Sequence, residues 1–240
     1  MEIEVLGTGS SGNCYKVKIG KATLLLECGL PYKVIQKKLH FKVSEIDACL
    51  ITHEHLDHAK AVKDLMKAGV DCCMTKGTAE ALGVSGYRLT TFKKSPDWRG
   101  KYSPILLGDL FILPFEAVHD VKEPVSYFIQ TNNEKETLVF VTDTAYMKYK
   151  IPACDVLMIE CNYVKSVLDE KVDQGKINTS LRNRIVKNHM SLETLVEALK
   201  SADLSRTKKI YVLHLSDGNS NEEMIKRQIQ EVSGVEVEVC

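Results

Sequence analysis

Short apolar runs of four to six residues alternate along the chain with stretches whose apolar positions recur at helical spacing. Strands are predicted over 3–6, 15–19, 23–27, 48–52, 110–114, 125–130, 138–142, 156–160, 209–213 and 235–239. Their brevity and Val/Ile/Leu content favour buried strands over helix fragments. Helices are predicted over 32–39, 59–68, 78–82, 181–188, 192–200 and 221–232. In the stretch 192–200, Leu192, Leu195, Val196 and Leu199 fall at i, i+3, i+4 and i+7, and Ser191 is placed to cap the helix. No repeat, low-complexity tract or Pro/Gly linker divides the chain, and 84–104 reads as a loop excursion. The pattern predicts one α/β domain over residues 1–240, many-stranded, with helices outside.

Composition narrows the class. The 240 residues carry 32 Lys+Arg against 32 Asp+Glu, with 44% hydrophobic residues. A disordered chain would be less hydrophobic and more strongly charged. A protein held to nucleic acid by bulk charge would carry an excess of cation. A chain of this length buries roughly 70–75% of its unfolded surface, so it needs no disulfide staples. The eight cysteines contain no CxxC pair, Cys72 and Cys73 are adjacent, and several lie in apolar runs. They read as small buried hydrophobes in a reducing cytosol. The opening Met1-Glu2-Ile3-Glu4 lacks the pattern of a secretory signal. No apolar stretch nears the roughly 18 residues of a membrane span. A cytoplasmic protein without a membrane partner is expected.

The chemistry is concentrated in Thr52-His53-Glu54-His55-Leu56-Asp57-His58, directly after the strand predicted at 48–52. Extended residues at i and i+2 point the same way, so His53 and His55 can reach a common metal. If the chain then turns into a helix, Asp57 and His58 lie at its start, where Asp57 would also serve as an N-cap. The competing reading is a polar loop with incidental histidines. A metal site needs further ligands at the ends of other strands. His119 follows the apolar run 110–118, Asp143 ends 138–142, and His214 ends 210–213. Each alone reads as a locally satisfied strand-end residue; their order after the motif makes them ligand candidates.

HxHxDH with this train of strand-end residues resembles the metallo-β-lactamase fold superfamily over nearly the whole chain. The resemblance implies an α/β fold (α+β in some schemes): a four-layer αββα sandwich, two mixed β-sheets flanked by helices, with metals at one edge between the sheets. By similarity, His53, His55 and His119 would form one metal site, and Asp57, His58 and His214 the other, with Asp143 bridging. Imidazoles and carboxylates without a thiolate suit two divalent ions, Zn²⁺ or Mn²⁺, with iron a third option. Such a pair can share a hydroxide generated near neutral pH, and Asp57 could also orient or deprotonate the water. A carboxylate at position 143 resembles the dinuclear phosphodiesterases and thioesterases, whereas the zinc β-lactamases place Cys there.

Two further stretches point to a branch. Leu6-Gly7-Thr8-Gly9-Ser10-Ser11-Gly12-Asn13-Cys14 precedes Leu24-Leu25-Leu26-Glu27-Cys28-Gly29-Leu30, while Asn188-His189-Met190-Ser191 precedes a helix and His214-Leu215-Ser216 ends a strand. These resemble the YycJ-like (WalJ-like) branch, which is associated with nuclease activity, particularly DNA exonuclease activity. The Gly-rich stretch also reads simply as a turn between strands. By similarity, His189 would stabilise the scissile phosphate or protonate the leaving oxygen; the alternative is a capping or surface histidine. Two departures stand out. Glu27 occupies the place of a usual Asp that braces the metal loop, and Asn188 replaces a frequent Gly, as a residue tolerant of left-handed backbone can.

For a nucleic-acid partner, Lys165, Lys171, Lys176, Arg182, Arg184 and Lys187 outnumber Asp169, Glu170 and Asp173 over 161–190. They would either guide a backbone toward the metals or form a solvated mixed-charge face. Tyr87, Trp98 and Tyr102, with Arg88, Lys93, Lys94, Arg99 and Lys101, would stack single-stranded bases or pack into the domain. The leading expectation is a dinuclear metal-dependent phosphodiesterase or nuclease acting on DNA. One alternative is a thioesterase of the hydroxyacylglutathione type, against which stands the short stretch after His214. The other is a nucleic-acid-binding or regulatory protein with a degenerate site.

Overall fold

Strand β1 (Glu2–Gly7) pairs antiparallel with β2 (Cys14–Ile19), which pairs antiparallel with β3 (Ala22–Leu26). Helix α1 (Tyr32–Lys38) then carries the chain to β4 (Ala48–Leu50), parallel to β3. Helices α2 (Leu56–Ala59) and α3 (Val62–Lys67) lead to β5 (Asp71–Thr75), and α4 (Lys76–Leu82) leads to β6 (Leu89–Phe92), both parallel to the strand before. The apolar faces meet in a core that includes Leu25, Ile35, Cys49, Ile51, Leu65, Cys72 and Met74. Each buried Leu, Ile or Met there contributes about 1.5–3 kcal/mol. An antiparallel ladder follows: β7 (Ile105–Leu107), β8 (Leu110–Glu116) and β9 (Val125–Thr131). The computed structural model describes residues 1–97, 102–133, 135–216 and 218–240. Within it, Met1–Glu116 and Val121–Glu136 pack as one unit, and Ala117–Asp120 and Thr137–Cys240 as a second.

In the second unit β10 (Thr137–Val141), β11 (Val156–Glu160), β12 (Lys209–Leu213) and β13 (Glu236–Val239) are parallel neighbours in that order. Parallel pairing sets their carboxyl ends along one edge, where α/β folds present functional residues. Four helices accompany them: α5 (Lys165–Asp173), α6 (Thr179–Asn188), α7 (Leu192–Ser201) and α8 (Glu222–Ser233). Helix α7 buries Leu192, Leu195 and Leu199, and Ser191 caps it by accepting the Thr194 N–H at 3.2 Å. The strands fall into two mixed sheets, of six (β1–β6) and seven (β7–β13), flanked by helices. This is the expected α/β architecture.

The departures from the predicted elements have local causes. The helix predicted over 59–68 is broken between α2 and α3. The Asp57 carbonyl accepts the Asn13 N–H at 2.7 Å, and the Ala61 N–H, its ordinary helical partner, turns to the Cys28 carbonyl at 2.9 Å. Strands β5, β6 and β7 were not predicted. The segment Asp71–Thr75 is rich in Cys and Met instead of β-branched residues, and β6 lies inside the stretch read as a loop excursion. Helix α5 is likewise unpredicted, because its mixed charges leave Leu168 as its single buried residue. No disulfide links the cysteines: all eight are free, and all but Cys240 are buried. Burial pushes the Cys73 thiol up to about 12. Among the described residues no helix is long and apolar enough to cross a membrane.

Candidate metal centre

The motif loop in the first unit is held from three sides. From the sheet, Glu27 is completely buried, and its carboxylate accepts the Thr52 hydroxyl at 2.5 Å and the Thr52 N–H at 3.3 Å. Its Oε1 also lies 3.6 Å from His58 Nδ1. Burial pushes the Glu27 carboxyl up, opposed by the His58 and Thr52 contacts that favour its charged form. The longer side chain in place of the usual Asp thus reaches both ends of the motif.

From the Gly-rich turn, Asn13 accepts the Gly9 N–H at 2.9 Å, donates to the Asp57 carbonyl at 3.2 Å, and sits 3.1 Å from His58 Nε2. The Gly-rich turn is therefore a brace for the ligand loop. From below, the Cys28 N–H donates to the His58 carbonyl at 2.7 Å. Gly29 lies so close that an added Cβ would sit 1.7 Å from the Asp57 carbonyl oxygen. A Gly29→Ala protein is expected to lose about 1–3 kcal/mol of stability from this overpacking. It should also bind metal more weakly, as read by thermal melting and by metal content.

Within this frame His53 and His55 present Nε2 and Nδ1 3.2 Å apart, and the His53 and His58 rings lie 4.2 Å apart by centroid. His53 Nδ1 is 2.9 Å from the Thr52 hydroxyl. Asp57 Oδ2 is 3.4 Å from His58 Nε2. The N-cap reading for Asp57 does not hold. His55 is the N-cap of α2, and Asp57 lies in its first turn.

In the second unit His119, Asp143, His189 and His214 come together, with a residue that the sequence did not single out. Asp143 Oδ2 is 3.7 Å from His119 Nε2, and its Oδ1 is 3.7 Å from His214 Nε2. Glu160, fully buried at the end of β11, is the hub beneath them. Its Oε1 accepts the Thr144 N–H at 2.8 Å and the Met190 N–H at 3.0 Å, while Oε2 lies 3.2 Å from His189 Nδ1 and 3.7 Å from His214 Nδ1. Asp143, Glu160, His189 and His214 each offer a donor atom within 4.8 Å of the others. The His189 ring stacks on His214 at 5.4 Å and 16°, which places it in this cluster instead of at the surface.

The rings are clamped from behind. His119 Nδ1 lies 3.0 Å from the Asn188 carbonyl, which leaves Nε2 as the outward atom. Burial pushes the His119 imidazole down, against the pull of Asp143, so it favours the neutral, ligating form. The Asn162 amide lies 3.1 Å from His214 Nδ1 and donates to the His214 carbonyl at 2.9 Å. Asn188 does not stand in for glycine through left-handed backbone, since it ends α6 with ordinary helical geometry. Its side chain instead accepts the Asp120 N–H at 3.2 Å. Left-handed backbone is found at Glu27 (φ 64°), Asp143 (φ 38°) and His214 (φ 56°), each just after a strand. Non-glycine residues held this way cost about 1–3 kcal/mol each and concentrate at functional sites.

The donor set fits divalent cations. It consists of imidazoles and carboxylates, several buried, without a thiolate among the described residues. Two donors bound to one ion at about 2.0–2.2 Å can stand up to about 4 Å apart, and the 3.7 Å separations at Asp143 fall in that range. Glu160, Asn13 and Asn162 went unread in the sequence. The one available signal was that Glu160 ends a predicted strand, as Asp143 follows one.

The surface expectations divide. Arg182 pairs with Asp169 at 2.9 Å and Lys187 with Asp120 at 3.2 Å, so part of the basic stretch 161–190 is internally neutralised. Tyr102 is buried and offers no ring for stacking; Tyr87 is 91% exposed, with the Arg88 guanidinium 5.3 Å from its ring centre. Trp98, Arg99 and Lys101 lie outside the described residues.

Comparison with known proteins places these features in a family. Residues 24–215 match the beta-lactamase superfamily domain. Exodeoxyribonuclease WalJ of Streptococcus pneumoniae is 32% identical over 232 residues, covering 92% of this chain and 83% of the relative. Exodeoxyribonuclease YycJ of Bacillus anthracis is 28% identical, covering 97% of this chain and 89% of the relative. Among solved structures, the metallo-β-lactamase fold protein YhfI of Bacillus subtilis superposes with a TM-score of 0.72 at 20% identity, over 99% of this chain and 95% of that one, which shows a shared fold. The match across most of the chain, on the fold just described, makes this protein a metal-dependent hydrolase of the beta-lactamase superfamily, in the branch that contains WalJ and YycJ.

Proposed function

We propose that this protein is a dinuclear metal-dependent phosphodiesterase that degrades nucleic acid, with DNA as its substrate. His53, His55 and His119 would hold one divalent cation, Asp57, His58 and His214 the second, and Asp143 both, with the chain acting as one domain of the family. The observation that carries this reading is Asp143, whose two oxygens each face the Nε2 of a different histidine at 3.7 Å. In this reading a carboxylate so placed would be shared between two ions. Two relatives named exodeoxyribonucleases, similar over most of the chain, support nucleic acid as the substrate. Zn²⁺ and Mn²⁺ match the donor set, and iron is the third option. Seven buried free thiols agree with a reducing, cytoplasmic setting.

When bound, such cations supply Lewis acidity and water acidic enough to ionise near neutral pH. The protein's own residues orient the reactants and move the protons. Asp57, with its side chain 27% exposed, is the group to orient the incoming water and take its proton. His189, 19% exposed and held at Nδ1 by Glu160, is the group to protonate the leaving oxygen. Buried Glu160 keeps that imidazole oriented.

The test is an assay on end-labelled single- and double-stranded DNA and RNA, supplemented in turn with Zn²⁺, Mn²⁺ and Fe²⁺, with His55→Ala as the control. Release of nucleotides from DNA that depends on metal and is lost in the control is the expected result. Hydrolysis of acyl-glutathione thioesters with every nucleic acid left intact would replace this reading with the thioesterase one.

A further inference from the structure

A second feature of the first unit is a cleft of about 620 Å³, separate from the ligand loop, where four lysines converge from three segments. Lys76 comes from the start of α4, Lys93 and Lys94 follow β6, and Lys122 precedes β9. Phe92, buried, contributes to its lining. Among the described residues the four ammonium groups share this lining with two carboxylates, Glu80 and Glu123, while Glu116 and Glu54 act on Lys94 and Lys122 from farther off.

Both carboxylates are already engaged. Glu123 accepts the Gly77 N–H at 2.7 Å and pairs with Lys94 at 2.5 Å. Glu80 pairs with Lys122 at 2.7 Å and more loosely with Lys76 at 3.8 Å. Lys93 makes no ion pair among the described residues, and Lys76 is 79% exposed. Lysines beside an edge strand such as β6 can serve only to discourage strand pairing. That accounts for Lys93 and Lys94, but not for Lys76 and Lys122, which lie on other elements.

The cleft is mechanically continuous with the ligand loop. The Lys122 N–H donates at 2.9 Å to Glu54 Oε1, the residue between His53 and His55. Three residues on, the Val125 N–H donates to the Thr52 carbonyl at 3.1 Å, and the Tyr127 hydroxyl donates to the Ile51 carbonyl at 2.5 Å. The segment that supplies one wall of the cleft is therefore fixed to the motif.

We propose that this lysine cleft is a binding site for the phosphodiester backbone of the nucleic-acid substrate, gripping the strand away from the phosphate being cleaved. The inference rests on the nuclease reading and adds to it where the rest of the strand is held. Exposed ammonium groups that outnumber the carboxylates lining one cleft suit a run of phosphates and carry no base preference.

The test uses the metal-loaded full chain and a fluorescent phosphorothioate single strand of roughly 20 nucleotides, longer than the spans single-strand sites usually cover. Affinity is measured by anisotropy across a salt series. The variant Lys76→Ala/Lys93→Ala/Lys122→Ala is expected to bind at least about tenfold more weakly at low salt. The slope of log affinity against log salt should shrink by about 2, three phosphate contacts at about 0.7 each. The corresponding triple Arg variant should restore both. If the Ala variant binds with unchanged affinity and slope while the unaltered protein binds, the cleft proposal is overturned and the nuclease reading stands. If the unaltered protein binds no strand at any salt concentration, both fall. Displacement of the strand by polyglutamate at equal charge concentration would assign the cleft to acidic polypeptides and overturn the proposal.

Discussion

Replacing Asp143 with Ala is expected to lower turnover on DNA by about a thousandfold or more, with fewer than two cations retained per chain. The reason lies in the two 3.7 Å approaches from Oδ1 and Oδ2 to separate histidines. On the proposed ligand sets, removing this carboxylate would take one donor from each of the two cations. Metal-assisted charge stabilisation amounts to several kcal/mol, and each 1.36 kcal/mol is about tenfold in rate. Asp143→Asn keeps the shape and one acceptor oxygen, so it should retain more metal than Ala while remaining slow. Metal content by mass spectrometry alongside turnover separates the two. An Ala variant that kept two ions and normal turnover would remove Asp143 from the centre. The left-handed backbone at this residue (φ 38°) makes a second prediction of the same variant. Since Ala tolerates that conformation no better than Asp, the folded protein should not gain stability from the change.

His189→Ala should have a different signature. Loss of a general acid costs about 10²–10⁴ in rate, but His189 is outside the proposed ligand sets, so both ions should remain. The dependence on leaving group is the sharper measurement. A diester that expels 4-nitrophenolate needs little protonation, so the loss should shrink toward unity on it and be full on DNA. A uniform loss on both substrates would instead indicate a histidine that stabilises the phosphate. Glu160→Gln should imitate His189→Ala in part. Without the carboxylate 3.2 Å from the ring the imidazole is held less firmly, so the loss should again be larger on DNA than on the 4-nitrophenolate diester. A Glu160 that only braced the fold through the Thr144 and Met190 N–H groups would lower stability without that difference between substrates.

How much of this could be read in advance depended on the kind of signal. His53, His55, Asp57 and His58 were legible as ligand candidates because they crowd into six residues, and His119, Asp143 and His214 because each follows an apolar run. Residue type and position carried that reading. Asn13, Asn162 and Glu160 were not legible as supports, because a buried amide or carboxylate acquires a role only from what it faces. The Gly-rich turn illustrates the difference. It reads as a turn between strands until Asn13 is seen holding the Asp57 carbonyl and His58 together. The broken helix at α2 and α3 has the same origin. Apolar periodicity over 59–68 is real, but two backbone groups that would close the helix are taken by Asn13 and Cys28 instead.

By itself the sequence determined the class of the molecule and the chemistry it carries. Apolar periodicity marks most of the stretches that become strands and helices, because each must bury one face, and a run of histidines and carboxylates marks a candidate site for divalent cations. Only the tertiary structure decided which groups support that chemistry. Parallel pairing of β10, β11 and β12 brings Asp143, Glu160 and His214 to one edge, and the close approach of Gly29 to Asp57 locks the ligand loop. The same holds for the lysines at 76, 93, 94 and 122, ordinary surface charges in a neutral chain until folding gathers them around one cleft. Electrostatic and hydrogen-bonding partnerships act over a few ångströms of space, and residues dozens of positions apart come within that range only when the chain has folded.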